Sequence, residues 1–280
     1  MATLWIDGLC KKYPTFYLDH VTFEVGEGKI MGFVGRNGAG KTTTIKSLFN
    51  YVHPDEGEVY FFGLRFRDNE AEIKRRVGYV GSDGSYYTQK RIRTITEVTK
   101  TFYPDWDEKI YQDCLRRFAL DENKKLKELS EGMKVKYQLT LALSHHAQLL
   151  VLDEPTSGLD PVSRDDLLDL FQDLVEKDGV SILFSTHITS DLEKCADEVT
   201  YIQNGKILYT GKRDGLTQKY ILLEGEAAKL TELELGKLIG YRAHKGEFTA
   251  MIPRTLQEEF SHFTVKEPTI EDVMVHLERE

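Results

Sequence analysis

Apolar positions along the chain fall into short runs separated by longer amphipathic stretches. Four runs are strand-like: EGKIMGFVG (27–35), RRVGYVG (75–81), QLLVLDEP (148–155) and VSILFSTH (180–187). Apolar, branched residues stand at consecutive positions in them, which predicts strands covered on both faces in a parallel sheet. Between these runs the period changes. Ile45, Leu48, Phe49 and Val52 recur at helical spacing over 41–52, and VSRDDLLDLFQDLVEK predicts a helix over 162–177. The alternation of strand and helix predicts an α/β fold with a parallel or mixed sheet. Residues 90–146 break the alternation with almost wholly helical patterning, so they are expected to be a helical subdomain inserted into a core made of 1–89 and 147–215. VTYIQNGKILYTG (199–211) predicts a hairpin turning at Asn204-Gly205. Residues 216–280 are rich in Leu, Glu and Lys and carry no chemical motif; a small appended α+β domain is expected there.

Composition narrows the function classes. With 37 basic and 46 acidic residues in 280, the formal charge is −9, which disfavours broad nucleic-acid binding, and no nucleic-acid partner is expected. Cys10, Cys114 and Cys195 are odd in number, far apart and form no CxxC, so they are expected to be core residues in a reducing compartment rather than a disulfide frame or zinc site. The N-terminus lacks the basic-then-apolar pattern of a signal peptide. The longest apolar-leaning stretch, YQLTLALSHHAQLLVL, is interrupted by two His and two Gln, whereas crossing a bilayer takes ~20 mostly apolar residues. Work at a membrane would therefore need another chain to span it.

GRNGAGKTT (35–43) fits G-x-x-x-x-G-K-[ST], with a strand before it and a helix after it. In such a loop, glycines let backbone N–H groups approach phosphate oxygens, and the following helix N-terminus adds partial positive charge. Gly35, Asn37, Gly38, Ala39, Gly40, Lys41, Thr42 and Thr43 are the candidate nucleotide contacts. Lys41 is expected to reach the β- and γ-phosphates, and Thr42 to hold Mg²⁺. LLVLDEPTSGLDP (149–161) is an apolar strand ending in two acids. Asp153 is expected in the Mg²⁺ shell and Glu154 as the group that polarises a water for attack on the γ-phosphate. His187 closes another strand end and is a second catalytic candidate.

P-loop, LSEGM (129–133), VLDEP, SGLD and the strand-end His occur in one order, and together they resemble the ATP-binding subunit of an ABC transporter over about residues 3–215. Longer segments, KELSEGMKVKYQLTLALSHHAQLLVLDEPTSGLDP among them, resemble an export-type subgroup of Gram-positive bacteria linked to efflux of antimicrobial or amphipathic peptides. The resemblance implies ATP and Mg²⁺ as ligands. It also implies a head-to-tail dimer with a second copy or a paralogue, a separate membrane-spanning subunit, and a peripheral place at the cytoplasmic face of the membrane. Ser130 and Gly132 would then act on the ATP held by the other subunit. Tyr13 would stack on adenine, with Phe16 or Tyr17 as substitutes, Asp160 would communicate across the dimer, and His187 would contact the γ-phosphate. Two motifs depart from the family pattern. Glu131 and Met133 stand where Gly and often Gln occur, and a carboxylate at 131 repels a γ-phosphate unless it points away. The family's glutamine loop would fall near Ser82, so either Ser82 or Asp83 is the second Mg²⁺ contact or none exists. The alternative is a soluble ABC-type ATPase acting on ribosomes or DNA. Such proteins usually carry two nucleotide domains or a long coiled-coil insertion, neither of which this chain has.

Overall fold

A computed structural model describes residues 2–81 and 87–279. The chain divides into two units, 1–208 and 209–280. In chain order the first contains β1 (Ala2–Lys12), β2 (Tyr17–Gly26), β3 (Ile30–Val34), α1 (Lys41–Leu48), β4 (Glu56–Phe61), β5 (Leu64–Arg65), α2 (Phe66–Arg76), β6 (Val77–Val80), α3 (Ile92–Lys100), α4 (Glu108–Arg117) and α5 (Glu131–Ser144). It continues with β7 (Leu149–Asp153), α6 (Pro161–Asp178), β8 (Ser181–Thr186), α7 (Thr189–Cys195) and β9 (Glu198–Gln203), and β10 (Lys206–Lys212) leads out of it. The second contains α8 (Arg213–Thr217), β11 (Tyr220–Glu226), α9 (Glu232–Leu235), β12 (Ile239–His244), β13 (Glu247–Pro253), β14 (Thr264–Lys266) and α10 (Ile270–Leu277).

Two sheets build the first unit. One runs β10-β9-β3-β8-β7-β6, with β9, β3, β8, β7 and β6 parallel. Every residue of β3, β7 and β8 is buried, as continuous apolar runs require. The second sheet, β2-β1-β4-β5, is antiparallel. It was not anticipated from the pattern, although β2 carries the signal: Leu18, Val21, Phe23 and Val25 are buried between exposed positions. One apolar core joins these sheets through α1, packing Leu4, Val21 and Phe61 with Ile45, Leu149 and Leu183.

Element ends differ from the sequence expectation where a turn residue intervenes. The helix expected over 41–52 stops at Leu48, and Asn50 takes φ 59° just beyond it. Arg75 and Arg76, expected to open a strand, close α2 instead, where basic side chains complement the helix dipole. α6 begins on Pro161 after the Asp160 cap and ends on Gly179 at φ 67°. Asn204 and Gly205, at φ 47° and 81°, form the hairpin turn between β9 and β10.

Between α3 and α5 lies a buried hydroxyl chain. Tyr137 Oη donates to the Ile92 carbonyl at 3.0 Å, so its oxygen accepts from Thr96 Oγ1 at 2.9 Å, and Thr96 accepts from Tyr111 Oη at 3.1 Å. Burial raises the pKa of both tyrosines. His145, stacked on Tyr103, ties the end of α5 to α2 by a 3.0 Å contact with the Arg75 carbonyl, and burial lowers its pKa.

The second unit is an antiparallel sheet, β12-β13-β11-β14, over a core that includes Ile221, Leu223, Phe248 and Ile252. Thr269 and Asp272 form a reciprocal capping box at the start of α10. Among the described residues no helix is long and apolar enough to cross a membrane.

The hydroxyl chain predicts a stability effect. Tyr137→Phe removes a donor and an acceptor from a buried chain, which should cost about 2 kcal/mol. At the size of the first unit this lowers its melting temperature by about 4–8 °C. A thermal scan with an unchanged transition would remove the chain from the stability account.

Candidate functional site

The C-terminal ends of β3, β7 and β8 lie side by side, and their chemistry meets there. β3 runs into the loop 35–40, where Gly38 takes φ 84° and Gly40 φ 115°. Gly40 is required twice over: its φ disfavours any side chain, and an added Cβ would lie 2.9 Å from the Phe16 ring. Ala39 is buried and its carbonyl accepts from Gly205 N at 2.9 Å, which anchors the loop to the hairpin, while Asn37 is exposed. Lys41 opens α1 and is buried. Its Nζ donates to the Gly35 carbonyl at 2.7 Å and the Arg36 carbonyl at 3.2 Å, and lies 3.1 Å from Glu154 Oε1. Thr42 turns its hydroxyl outward to Asp153 Oδ1 at 3.2 Å, and Thr43 accepts at its carbonyl from Ser47.

Asp153 is the last residue of β7 and is buried. It also accepts from Ser185 Oγ at 2.7 Å, and the same Ser185 oxygen accepts from Glu154 N at 2.9 Å. Glu154 has φ 52°. Its second carboxylate oxygen lies 2.8 Å from His187 Nδ1, the residue just past β8. Lys41, Thr42, Asp153, Glu154 and His187 therefore form one connected polar group drawn from three strand ends. Thr42 and Asp153 give hard oxygen donors, one neutral and one anionic, beside a pocket of about 310 Å³ lined by Asp153, Glu154 and Gln138. This donor set fits Mg²⁺, which keeps waters and takes few protein ligands.

The other predicted residues, among those described, sit at the starts of α5 and α6 and around the turn from β1 to β2. Ser130 caps α5, accepting from Met133 N at 3.2 Å, and Gly132 faces Leu159 and Ser163. Glu131 is exposed and pairs with Lys134 at 2.7 Å, which offsets its charge. Asp160 caps α6, accepting from Val162 N and Ser163 N, each at 3.1 Å; bonds from Ser163 lower its pKa. Of the three aromatics considered for stacking, Tyr13 is exposed beside Phe16, which packs on the loop at Gly40. Tyr17 is engaged with Cys10, and the Cys10 bond pushes its pKa up to about 12. Asp83 and Ser82 lie outside the described residues.

Two features were missed in the sequence. Ser185 stands as a polar residue inside the apolar run SILFST, which was the available signal. Asp191, wholly buried, gathers the supporting loops: Thr156 Oγ1 donates to it at 2.7 Å, Thr186 Oγ1 at 3.1 Å, and Arg164 pairs with its other oxygen. It braces the segment after Glu154 against the one that carries His187.

The ABC transporter family model matches residues 18–157. The ABC transporter ATP-binding protein YtrB of Bacillus subtilis (strain 168) is 28% identical over 93% of this chain and 90% of its own length. The uncharacterized ABC transporter ATP-binding protein YxlF of the same organism is 33% identical over 77% of this chain and 73% of its own. The bacitracin transport ATP-binding protein BcrA of Bacillus licheniformis is 36% identical over 68% of this chain; the match spans 63% of that relative's length. A solved structure of an ATP-binding subunit of an ABC transporter superposes with TM-score 0.69 at 28% identity, covering 77% of this chain and 92% of that one.

The Asp191 network carries a prediction. Asp191→Ala leaves the Arg164 guanidinium, about a quarter exposed, without its carboxylate, so the loss should be about 3 kcal/mol, the low end for a broken buried pair. Asp191→Asn, which keeps an acceptor for both threonines, should lose less. Equal denaturation midpoints for the three proteins would show that Asp191 bears no such load.

Proposed function

The chain belongs to the ABC transporter family as an ATP-binding subunit and ATPase, and from that premise we propose that it closes head-to-tail with a second such subunit around two Mg-ATP and drives a separate membrane-spanning exporter. The observation that carries this reading is the single polar group formed by Lys41, Thr42, Asp153, Glu154 and His187 at neighbouring strand ends.

The roles follow from charge and reach. Lys41 brings a buried ammonium to the mouth of the loop, where loop N–H groups and the α1 N-terminus favour phosphate. Thr42 and Asp153 would hold Mg²⁺, which when bound offsets phosphate charge. Ser185 fixes the Asp153 carboxylate and the Glu154 backbone together, so metal ligand and base cannot drift apart. Glu154 takes the proton as a water attacks the γ-phosphate, the bond to the β-phosphate oxygen breaks, and ADP and phosphate result. His187, bonded to Glu154, holds that carboxylate in place. Tyr13 supplies an aromatic face for the base, and Ser130 with Gly132 offers the α5 N-terminus to the partner's nucleotide.

Docking to the membrane subunit is assigned to a groove of about 710 Å³ between the α/β core and the helical subdomain, lined by Tyr51, Tyr79, Tyr87 and Leu141 among others. Exposed aromatics beside a cleft make good anchors for a partner helix. This docking would hold the chain peripherally at the cytoplasmic face. Peptides or antimicrobial compounds as cargo are supported by the likeness to the bacitracin transport protein; the cargo site itself would lie in the membrane subunit.

Glu154→Gln should bind Mg-ATP, lose turnover by about 10²-fold or more, and accumulate as an ATP-bound dimer on size exclusion. Near wild-type turnover would remove Glu154 from the role of base. Tyr87→Ala, at a residue 62% exposed, should leave the isolated subunit folded and able to bind ATP while weakening co-purification with its membrane subunit. Undiminished co-purification would place the docking surface elsewhere. The neighbouring Tyr86 lies outside the described residues.

A further inference from the structure

Gln138 borders the groove assigned to docking and also lines the pocket beside Asp153 and Glu154, where it has been given no chemical role. Glu131, Lys134, Val135 and Gln138 follow one another at helical spacing on α5 and line the pocket of about 310 Å³ whose opposite wall is Asp153 and Glu154. α5 lies hard against β6, since a Cβ on Gly78 would fall 2.4 Å from Ala142. Gln138 sits one turn before Ala142 on this packed face. Its Nε2 donates to the Gly81 carbonyl, just past β6, at 3.4 Å. In this orientation Nε2 is the donor and Oε1 the acceptor of the carboxamide. Among the described residues, Gln138 Oε1 is the buried side-chain oxygen that has no hydrogen-bond partner. A buried acceptor without a donor costs free energy, and natural proteins keep such groups where a ligand or water supplies the missing bond.

We propose that Gln138 is a positioning residue of the ATPase site, whose Oε1 would accept a hydrogen bond from a water of the Mg²⁺ that Thr42 and Asp153 would hold. The proposal rests on the ATPase reading of that pocket. The chemistry of the partner follows from the walls. Two carboxylates, Asp153 and Glu154, repel an anion at this spot and accept hydrogen bonds, as Oε1 does. A water held there can give one hydrogen to Gln138 Oε1 and the other to Glu154, while Asp153 faces the metal side. Between β6 and Tyr87 the sequence, GSDGSYY, supplies no carboxamide of its own. A helix-borne glutamine also ties water placement to the position of α5, whose N-terminus carries Ser130. Movement of α5 relative to β7 would then change how well the water is held.

The test is Gln138→Leu in the full chain. Leucine matches the volume and removes both the unsatisfied oxygen and the weak Gly81 contact, so the melting temperature should stay level or rise. ATP affinity is measured by calorimetry with Mg²⁺ and with EDTA. The variant should bind ATP normally in EDTA, lose about ten-fold of the Mg²⁺-dependent gain, and show kcat reduced by about ten-fold with KM little changed. A purely structural glutamine would lower the melting temperature on replacement and leave the Mg²⁺ dependence alone. A folded Gln138→Leu protein with wild-type kcat and wild-type Mg²⁺ dependence overturns the assignment. Glu154→Gln is run beside it: if that variant retains full turnover, the catalytic reading of the pocket falls, and this inference with it.

Discussion

Adjacent residues of a strand point to opposite faces, yet Asp153 and Glu154 must serve one site. Everything in the polar group of Lys41, Thr42, Asp153, Glu154 and His187 depends on how the chain meets that constraint. β7 ends at Asp153, and Glu154 leaves the strand with φ 52°, a conformation non-glycine residues rarely take. The turn brings its carboxylate back toward Lys41 and His187. Such strain persists only where the surroundings hold it. Here Ser185 binds the Glu154 backbone N–H on one side, and the Asp191 network braces Thr156 on the other. The buried Lys41 ammonium in turn needs compensation, which the loop carbonyls and Glu154 provide.

A parallel sheet supplies this geometry because all of its strands end on the same edge. β3 delivers the phosphate loop, β7 the two acids, and β8 Ser185 and His187, each in register with its neighbour. Full burial of these strands fixes their heights relative to one another, so hydrogen bonds of 2.7–2.9 Å can form between residues more than thirty apart in sequence.

What could be read from the sequence follows from whether the signal was local. The loop 35–43, the acids ending LLVLDE and the hairpin at Asn204-Gly205 each depend on residues close in sequence, and residue type alone announced them. The antiparallel sheet was not foreseen because β1 and β4 come together from distant segments and are broken by register shifts, at Asp7/Cys10 for example, which blur a period-two pattern. Asp191 looked like one more acid on a short helix. Its importance arises from three partners on three elements, none of which a linear pattern connects. Gln138 likewise reads as a polar position on a helix until packing against β6 turns it inward.

Charge at the start of α5 bears on the proposed dimer. A helix N-terminus favours an anion, but Glu131 places a carboxylate in its first turn. Inside one subunit that acid helps the helix; facing a partner's γ-phosphate it opposes binding. Lys134 resolves part of the conflict by pairing with Glu131 at 2.7 Å, so the face presented is closer to neutral. In the proposed dimer Ser130 could serve through the cap itself. Its oxygen accepts from Met133 N with a lone pair, which leaves the hydroxyl proton free to donate outward. A serine at this position can therefore hold its own helix and a partner's phosphate at once, which alanine or aspartate could not: the first lacks both bonds, and the second has no proton to give.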